Sequence, residues 1–437
     1  MLMVLPIWVL LGKMLDEILG FDDKTRVALC KIIKSIGAHM KIRLLTGCVA
    51  LALAGCGGSS DSSTPTPQTK TGVFLDSPVI GMNYRTATIS DGMTTEDGEF
   101  TYLEGETVTF YLGDLTFPDV KAGAQVTPAD IGGGLATTTT VNILQLLQSL
   151  DDNGDLSDGI TIIDTSKDAF VGTGLELSSD TFDASVSAIL TSIGKTLVTE
   201  EAAQTHFTDT LKGQLTGSWL FSEGAGKRNI LTFFNDNNYI IVHEHSDIPD
   251  DGDQPAGSAE YGSYTYDPAT QMLALNVIRE SDNSGGLADD FGSITLEVQA
   301  TQTTLDITFA DEAGEQVQFS KITDSSNAMV GAWYLREDDI SSDNILTILP
   351  NNQYVIVHTN NQEAYNGAEV MATSGEFGSF SLNGGVFTVT SITSEADGPG
   401  GLYDKDSPMF SATITVTDNE SLNFTNSDEN FTFSRIK

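Results

Sequence analysis

The stretch Tyr239-Ile-Ile-Val-His243 returns about 115 residues later as Tyr354-Val-Ile-Val-His358, and this recurrence decides the fold of the C-terminal half. Five further blocks recur in the same order: Gly217-Ser-Trp219 with Gly331-Ala-Trp333, Asn229-Ile-Leu-Thr232 with Asn344-Ile-Leu-Thr347, Glu260-Tyr-Gly-Ser-Tyr264 with Glu376-Phe-Gly-Ser-Phe380, Gly285-Gly-Leu-Ala-Asp289 with Gly400-Gly-Leu-Tyr-Asp404, and Phe319-Ser-Lys-Ile322 with Phe433-Ser-Arg-Ile436. Such a repeat is far longer than a solenoid unit. It therefore predicts two tandem domains, residues 214–323 and 328–437.

Each copy is predicted to be antiparallel β structure. Its short strands are separated by Asn, Asp and Gly turns, and no helical period runs through them. Leu231, Phe233, Tyr239 and Ile241 fall on one side of their strands, as alternation requires. The pattern fits a sandwich or a barrel. Because each copy has its own complete set of blocks, we expect it to close its own sheet and to fold alone.

The Gly-x-Trp block and the basic residue of the last block resemble those of the lipocalin-type closed barrel. The resemblance implies that the tryptophan plugs the base and that a cation lies over its ring. Lys321 would then cover Trp219, and Arg435 would cover Trp333. Loss of either ring is expected to unfold its own copy and to leave the other nearly intact.

His243 and His358 end the same strand in the two copies and are two of only five histidines. One interpretation is ligand binding, with a neutral imidazole facing a cavity. The other is a hydrogen-bonded residue at a strand end, inherited through the duplication. Their separation matches no recognisable metal-site spacing.

The region before the repeats divides into a β part and a helical part. Residues 72–131 contain short β-branched or aromatic runs between turn residues. The stretch beginning Gly72-Val-Phe-Leu-Asp-Ser-Pro78 resembles the small β-sandwich modules of the carboxypeptidase-regulatory type found in bacterial surface lipoproteins, which implies a structural module. Residues 132–213 have apolar positions at helical spacing. The predicted fold class is mainly β and multidomain: a small sandwich, a short helical region and two antiparallel barrel or sandwich repeats.

An acidic loop within the helical part offers oxygen ligands at alternate positions, namely Asp151, Asn153, Asp155 and Ser157. Ca²⁺ takes six to eight such oxygens, so the loop is a candidate Ca²⁺ site that resembles an EF-hand loop. It departs from that pattern at Leu156, where the sharp turn needs glycine, and at Ile162, where the bidentate glutamate belongs. The alternative is an ordinary turn rich in Asp, Asn and Gly.

Residues 40–55 have the parts of a secretory signal: two cations, a short apolar run and a small-residue site. Leu53-Ala54-Gly55-Cys56 resembles a bacterial lipobox, which implies cleavage and acylation at Cys56. Residues 56–71 are predicted to be a flexible tether. Because a signal works at an N-terminus, residues 1–39 are interpreted as a non-native upstream extension, with translation starting at Met40. A genuine first anchor is the alternative.

The composition excludes some partners. The chain has 61 acidic and 21 basic residues, a net charge of −40, so no nucleic-acid partner is expected. Cys30 and Cys48 precede the cleavage site, which leaves no disulfide in the processed chain. We find no catalytic motif such as Gly-x-Ser-x-Gly or a phosphate-binding loop, and we predict that the protein is not an enzyme.

These features predict a non-catalytic cell-envelope lipoprotein that presents two β domains for binding or adhesion. The residue after Cys56 is Gly57, whereas lipoproteins retained in the inner membrane usually have an aspartate at that position. By resemblance this favours the outer membrane, on its periplasmic or cell-surface face. The expected partners are the membrane, through the lipid, and a protein, glycan or small apolar molecule. The alternatives are a small apolar ligand or glycan inside lipocalin-like barrels, and a secreted hydrolase with unidentified carboxylates.

Overall fold

The computed structural model describes residues 68–437 except for 225, 235, 246–255, 283–285, 289–292, 310–314, 338–341, 361–372, 397–400, 403–409 and 428–429. The predicted upstream extension, the signal and Cys56 lie outside the described residues. The fold class is confirmed: a small β region and a short helical region precede two tandem closed eight-stranded antiparallel barrels. The first strand begins at Thr69, slightly inside the range predicted as a tether.

Short strands form the first region: β1 Thr69–Phe74, β2 Val79–Ile80, β3 Asn83–Arg85, β4 Gly92–Met93, β5 Glu99–Leu103, β6 Thr107–Leu112, β7 Leu115–Thr116, β8 Val120–Lys121, β9 Gln125–Val126 and β10 Ile160–Thr161. One sheet has the order β5-β1-β9, and another has the order β4-β3-β6-β7 with β8 also paired to β6. Strand β10 comes from the helical part and pairs in parallel with β2.

The helices are α1 Pro128–Gly132, α2 Thr138–Leu150, α3 Asp164–Asp168, α4 Phe182–Ser192 and α5 Glu200–Gly213, and a 3-10 turn covers Leu156–Asp158. Threonine hydroxyls cap three of them, and at the start of α1 Thr127 accepts the N–H of Asp130. Thr137 accepts the N–H of Thr140 at the start of α2, and Thr199 accepts that of Ala202 at the start of α5. These bonds satisfy amide groups that lack a partner inside the helix.

The β region and the helices share one core. Phe74 and Phe110 stack across the two sheets with ring centroids 4.0 Å apart. Leu147 of α2 and Phe182 of α4 belong to the same buried cluster. The buried Asp76 ties the parts together, because Gln148 Nε2 lies 3.2 and 3.1 Å from its carboxylate oxygens. Burial raises the pKa of Asp76 to about 8. Residues 72–131 and 132–213 therefore bury their apolar side chains together.

The first barrel consists of β11 Gly217–Gly224, β12 Lys227–Phe233, β13 Asn238–His243, β14 Ala259–Asp267, β15 Met272–Glu280, β16 Ser293–Ala300, β17 Thr304–Phe309 and β18 Glu315–Lys321. The second consists of β19 Gly331–Glu337, β20 Ser342–Leu349, β21 Gln353–His358, β22 Ser374–Asn383, β23 Val386–Glu395, β24 Ser411–Thr417, β25 Ser421–Thr425 and β26 Asn430–Arg435. Each strand pairs with the next, and the last pairs with the first. Each copy therefore closes its own sheet, as predicted.

Tight turns in the second barrel explain part of its sequence. The turn between β20 and β21 has Asn351 and Asn352 at φ 64° and 57°, and the turn between β24 and β25 has Asp418 and Asn419 at φ 51° and 56°. Two successive residues with positive φ make the hairpin turn whose twist matches that of the strands. Asn and Asp tolerate this conformation better than other side chains do.

The first strands of each barrel are buried on both faces. Leu231, Tyr239 and Ile241 point inward and are fully or almost fully buried. Ile240 and Val242 point outward, and they are buried too. Their cluster includes residues of the second barrel, so the outer face of one barrel is covered by the other.

The two covering faces are equivalent surfaces of the two copies. Apolar outward residues of both barrels lie in one cluster: Ile230, Ile240 and Val242 with Ile345, Val355 and Val357. Ser258 and Ser374, which correspond in the repeat, form an antiparallel bridge with each other. A residue that meets its own counterpart lies at a twofold axis, so the contact is isologous, as in a symmetric dimer.

Polar contacts also cross this interface. The hydroxyls of Ser218 and Thr347 are 3.0 Å apart and buried. Arg228 Nη1 donates to Gln353 Oε1 at 2.7 Å. Because the barrels share buried surface, we expect the loss of one barrel to destabilise the other. This differs from the expectation that each copy is energetically independent.

Candidate functional site

The first barrel is closed by a tryptophan and a lysine. Lys321 Nζ lies 4.6 Å from the ring centroid of Trp219, the pair named from the lipocalin resemblance. The ammonium donates to the carbonyls of Gln214 and Thr216 at 3.0 and 2.7 Å, and burial lowers the pKa of Lys321 to about 8. The indole N–H donates to the Leu215 carbonyl at 2.7 Å. Lys321 thus ties the last strand to the backbone that leads into the first.

The second barrel repeats this closure with arginine. Arg435 Cζ lies 4.0 Å from the ring centroid of Trp333. Its guanidinium donates to the carbonyls of Asn419 and Val330 at 2.7 and 3.2 Å. The Trp333 indole donates to the Met329 carbonyl at 2.8 Å. All four residues have a structural role at the barrel base.

The acidic loop is held by its own hydrogen bonds. Both carboxylate oxygens of Asp151 accept backbone N–H groups, at 2.6 and 2.8 Å. Asp155 Oδ1 accepts the N–H and the hydroxyl of Ser157, while Asn153 Oδ1 accepts the N–H of Asp155. Lys195 Nζ donates to two carbonyls at the start of the loop. These contacts account for the turn, and Ca²⁺ binding at this loop stays a prediction.

Both repeated histidines lie inside their barrels and are buried. His243 Nδ1 is 2.7 Å from Asn229 Oδ1, and its Nε2 is 3.0 Å from Asp282 Oδ2. His358 Nδ1 bonds to Asn344 Oδ1 in the same way. The structure therefore places each histidine in a hydrogen-bonded polar cluster.

A buried glutamate next to this cluster was not singled out from the sequence. Glu260 is fully buried and accepts the hydroxyl of Tyr239 at 2.7 Å. The N–H groups of Leu287 and Ala288 also donate to its carboxylate, at 3.4 and 3.2 Å. In the second barrel the hydroxyl of Tyr354 donates to Glu376, the counterpart of Glu260. The polar arrangement is thus duplicated together with the fold.

Two more carboxylates join Glu260 in the first barrel. Oxygen atoms of Glu260, Glu280 and Asp282 lie within 4.8 Å of one another, the single set of three acidic, His or Cys side chains so arranged among the described residues. Burial, the main cause, and the charge of Asp282 raise the pKa of Glu260 to about 7, against the effect of the hydrogen bond from Tyr239. This crowding of buried carboxylates is the feature most unlike a purely structural core.

The pairing of the strands shows that Glu260 points into the barrel. Glu260 pairs with Ile241, which points inward, and paired residues of antiparallel strands share a face. Glu280 in turn pairs with Glu260. A glutamate at the same inward position in both copies, Glu260 and Glu376, therefore indicates a polar cluster inside the barrel. Asp282 follows the end of β15, and only the folded chain brings it to His243.

No protein-family model matches the chain, and no curated protein matches it significantly. None of the helices in the described residues is long and apolar enough to cross a membrane.

Removing one tryptophan ring tests how strongly the barrels are coupled. Trp219→Ala should cost about 3–5 kcal/mol, because a large buried aromatic leaves a cavity. Trp333 is then the one tryptophan downstream of Cys56, and its fluorescence reports on the second barrel. We expect the Trp333 fluorescence to change at a lower denaturant concentration than in the wild type, in the same transition in which circular dichroism records the loss of β structure. If the Trp333 fluorescence of this variant changes at the same denaturant concentration at which the wild-type chain unfolds, the barrels are independent. Trp333→Ala is the matched variant, with Trp219 as reporter.

Proposed function

We propose that this chain is a lipid-anchored, non-catalytic protein of the cell envelope that presents two paired β-barrels for binding or adhesion. The lipobox at Cys56 and the polar residues after it support an outer-membrane anchor. The closed barrels with their Trp–cation pairs support the resemblance to lipocalin-type barrels. The β region supports the resemblance to a carboxypeptidase-regulatory-type module.

The buried aromatic side chains inside the barrels are the observation that favours surface binding over a ligand inside the barrel. A site for a small molecule is concave and mostly apolar. In the first barrel that space holds Trp219, Phe233 and Tyr239, each with no exposed surface. In the second it holds Trp333 and Tyr354, which are equally buried. Binding would therefore use the loops and the outer strands that the other barrel does not cover.

The acidic composition supports a partner other than nucleic acid. The net charge of −40 repels phosphate backbones, and it repels anionic lipid headgroups as well. Membrane association would then depend on the acyl chains alone. Each buried CH₂ contributes about 0.8 kcal/mol, and two or more chains give stable attachment.

Replacing the lipidated cysteine tests the anchor. Cys56→Ser should move the protein from the membrane fraction to the soluble envelope fraction and stop processing at residue 56, because the serine hydroxyl does not replace the acylated thiol. Cys48→Ser, within the predicted signal, is the matched control and should leave both properties unchanged. Membrane partition and processing at residue 56 that persist in Cys56→Ser would contradict the proposal.

Native mass spectrometry tests where binding occurs. Residues 57–437, incubated with an envelope extract and then purified again, should have the mass of the chain without a bound apolar molecule or sugar, because aromatic side chains occupy the barrel interiors. A stoichiometric organic adduct that is lost when the barrels unfold would contradict surface binding. It would favour the alternative of a ligand inside the barrel.

A further inference from the structure

We propose that Glu260, Glu280 and Asp282 form a binding site for a hard divalent cation, Ca²⁺, at one end of the first barrel. The three carboxylates come from β14, from the end of β15 and from the residues that follow it. One oxygen of each lies within 4.8 Å of the other two. Oxygen ligands on opposite sides of Ca²⁺, each about 2.4 Å from the ion, are separated by about the same distance. The spacing therefore suits this ion.

The charge of the cluster calls for a cation. Glu260 and Asp282 have no exposed surface, and within the described part of the chain neither forms an ion pair with Lys or Arg. Within the described residues Asp282 contacts the imidazole of His243, at 3.0 Å, and that single imidazole does not reach both carboxylates. A divalent cation between Glu260 and Asp282 would pair with both. Buried charges in proteins are normally paired or bound to metal.

One oxygen of Asp282 is available to a ligand. Asp282 Oδ2 is 3.0 Å from His243 Nε2. Oδ1 is buried and accepts no hydrogen bond from the described residues. A buried acceptor without a partner costs about 1–3 kcal/mol, and more when it is charged. A cation bound at Oδ1 would remove this cost, while His243 and Asn229 behind it would fix the orientation of the carboxylate, as outer-shell partners do.

The backbone at Gly286 lies directly against the same carboxylates. A Cβ at this position would lie 2.4 Å from Glu260 Oε2 and 2.8 Å from Asp282 Oδ2, so no larger residue fits without displacement. The next two N–H groups hold Glu260. Glu280 is half-buried and is the least buried of the three carboxylates. The backbone of residues 286–288 therefore lies against the same carboxylates that would hold the ion.

The sequence of the second copy repeats the whole set of polar positions: Tyr354, His358, Glu376, Glu395 and Asp397 stand where the first copy has Tyr239, His243, Glu260, Glu280 and Asp282. Glu376 keeps the contact with its tyrosine and His358 keeps the contact with its asparagine, while Asp397 lies outside the described residues. This inference goes beyond the proposed function, since it assigns a ligand that does not depend on the anchor.

Equilibrium dialysis with Ca²⁺ tests the site on the chain from residue 57 to residue 437, compared with Asp282→Asn. This substitution keeps the size of the side chain and removes its charge. We expect Asp282→Asn to bind one Ca²⁺ fewer per chain and to lose the part of the Ca²⁺-dependent rise in melting temperature that this site provides. Asp155→Asn in the acidic loop is the matched control, and it should keep the barrel site.

Two results would overturn the proposal: a wild-type chain that binds no Ca²⁺, or an Asp282→Asn chain that binds as many ions as the wild type. A loss of binding in Asp155→Asn alone would assign the ion to the acidic loop instead. If circular dichroism shows that Asp282→Asn does not fold, Glu280→Gln at the half-buried position replaces it. The same loss of one ion is expected, and an unchanged count would again overturn the site.

Discussion

The C-terminal half depends on one interaction, the burial of the outer face of the first strands of each barrel against the equivalent face of the other. Ile240 and Val242 would be exposed to solvent in an isolated first barrel, and both are fully buried in the complete chain. At about 25 cal/mol per Å² of apolar surface, such burial contributes substantially to stability. The interface resembles that of a homodimer whose two subunits have been joined in one chain.

The inner and outer faces of each barrel have different structural roles. The inward side chains make the core, and the tryptophan with its cation closes the base. The outward side chains of the first strands make the pairing surface. The polar cluster around Glu260 uses a third set of residues, so core, pairing surface and polar cluster do not compete for the same side chains.

The sequence predicts the fold well because duplicated strand blocks and turn residues act locally. The pairing of the barrels was not predicted, although Tyr239-Ile-Ile-Val242 is a continuous apolar run, which is typical of a strand buried on both faces. The contact of Lys321 with Trp219 follows from the resemblance of the end blocks. The acidic cluster was missed because its carboxylates are distant in sequence, and strand pairing brings them together. The acidic loop could be proposed as a Ca²⁺ site from the sequence because its oxygen ligands are close together in the chain.

Disulfide trapping across the axis measures the pairing of the barrels most directly. Ser258 and Ser374 are buried bridge partners, and the Cα separation in such a pair falls within the range that a disulfide spans. In a chain that lacks Cys56, the double variant Ser258→Cys with Ser374→Cys should form an intramolecular crosslink under mild oxidation and keep the wild-type circular dichroism spectrum. Each single variant should stay monomeric. A folded double variant whose two thiols remain free after oxidation would contradict the pairing of the two barrels.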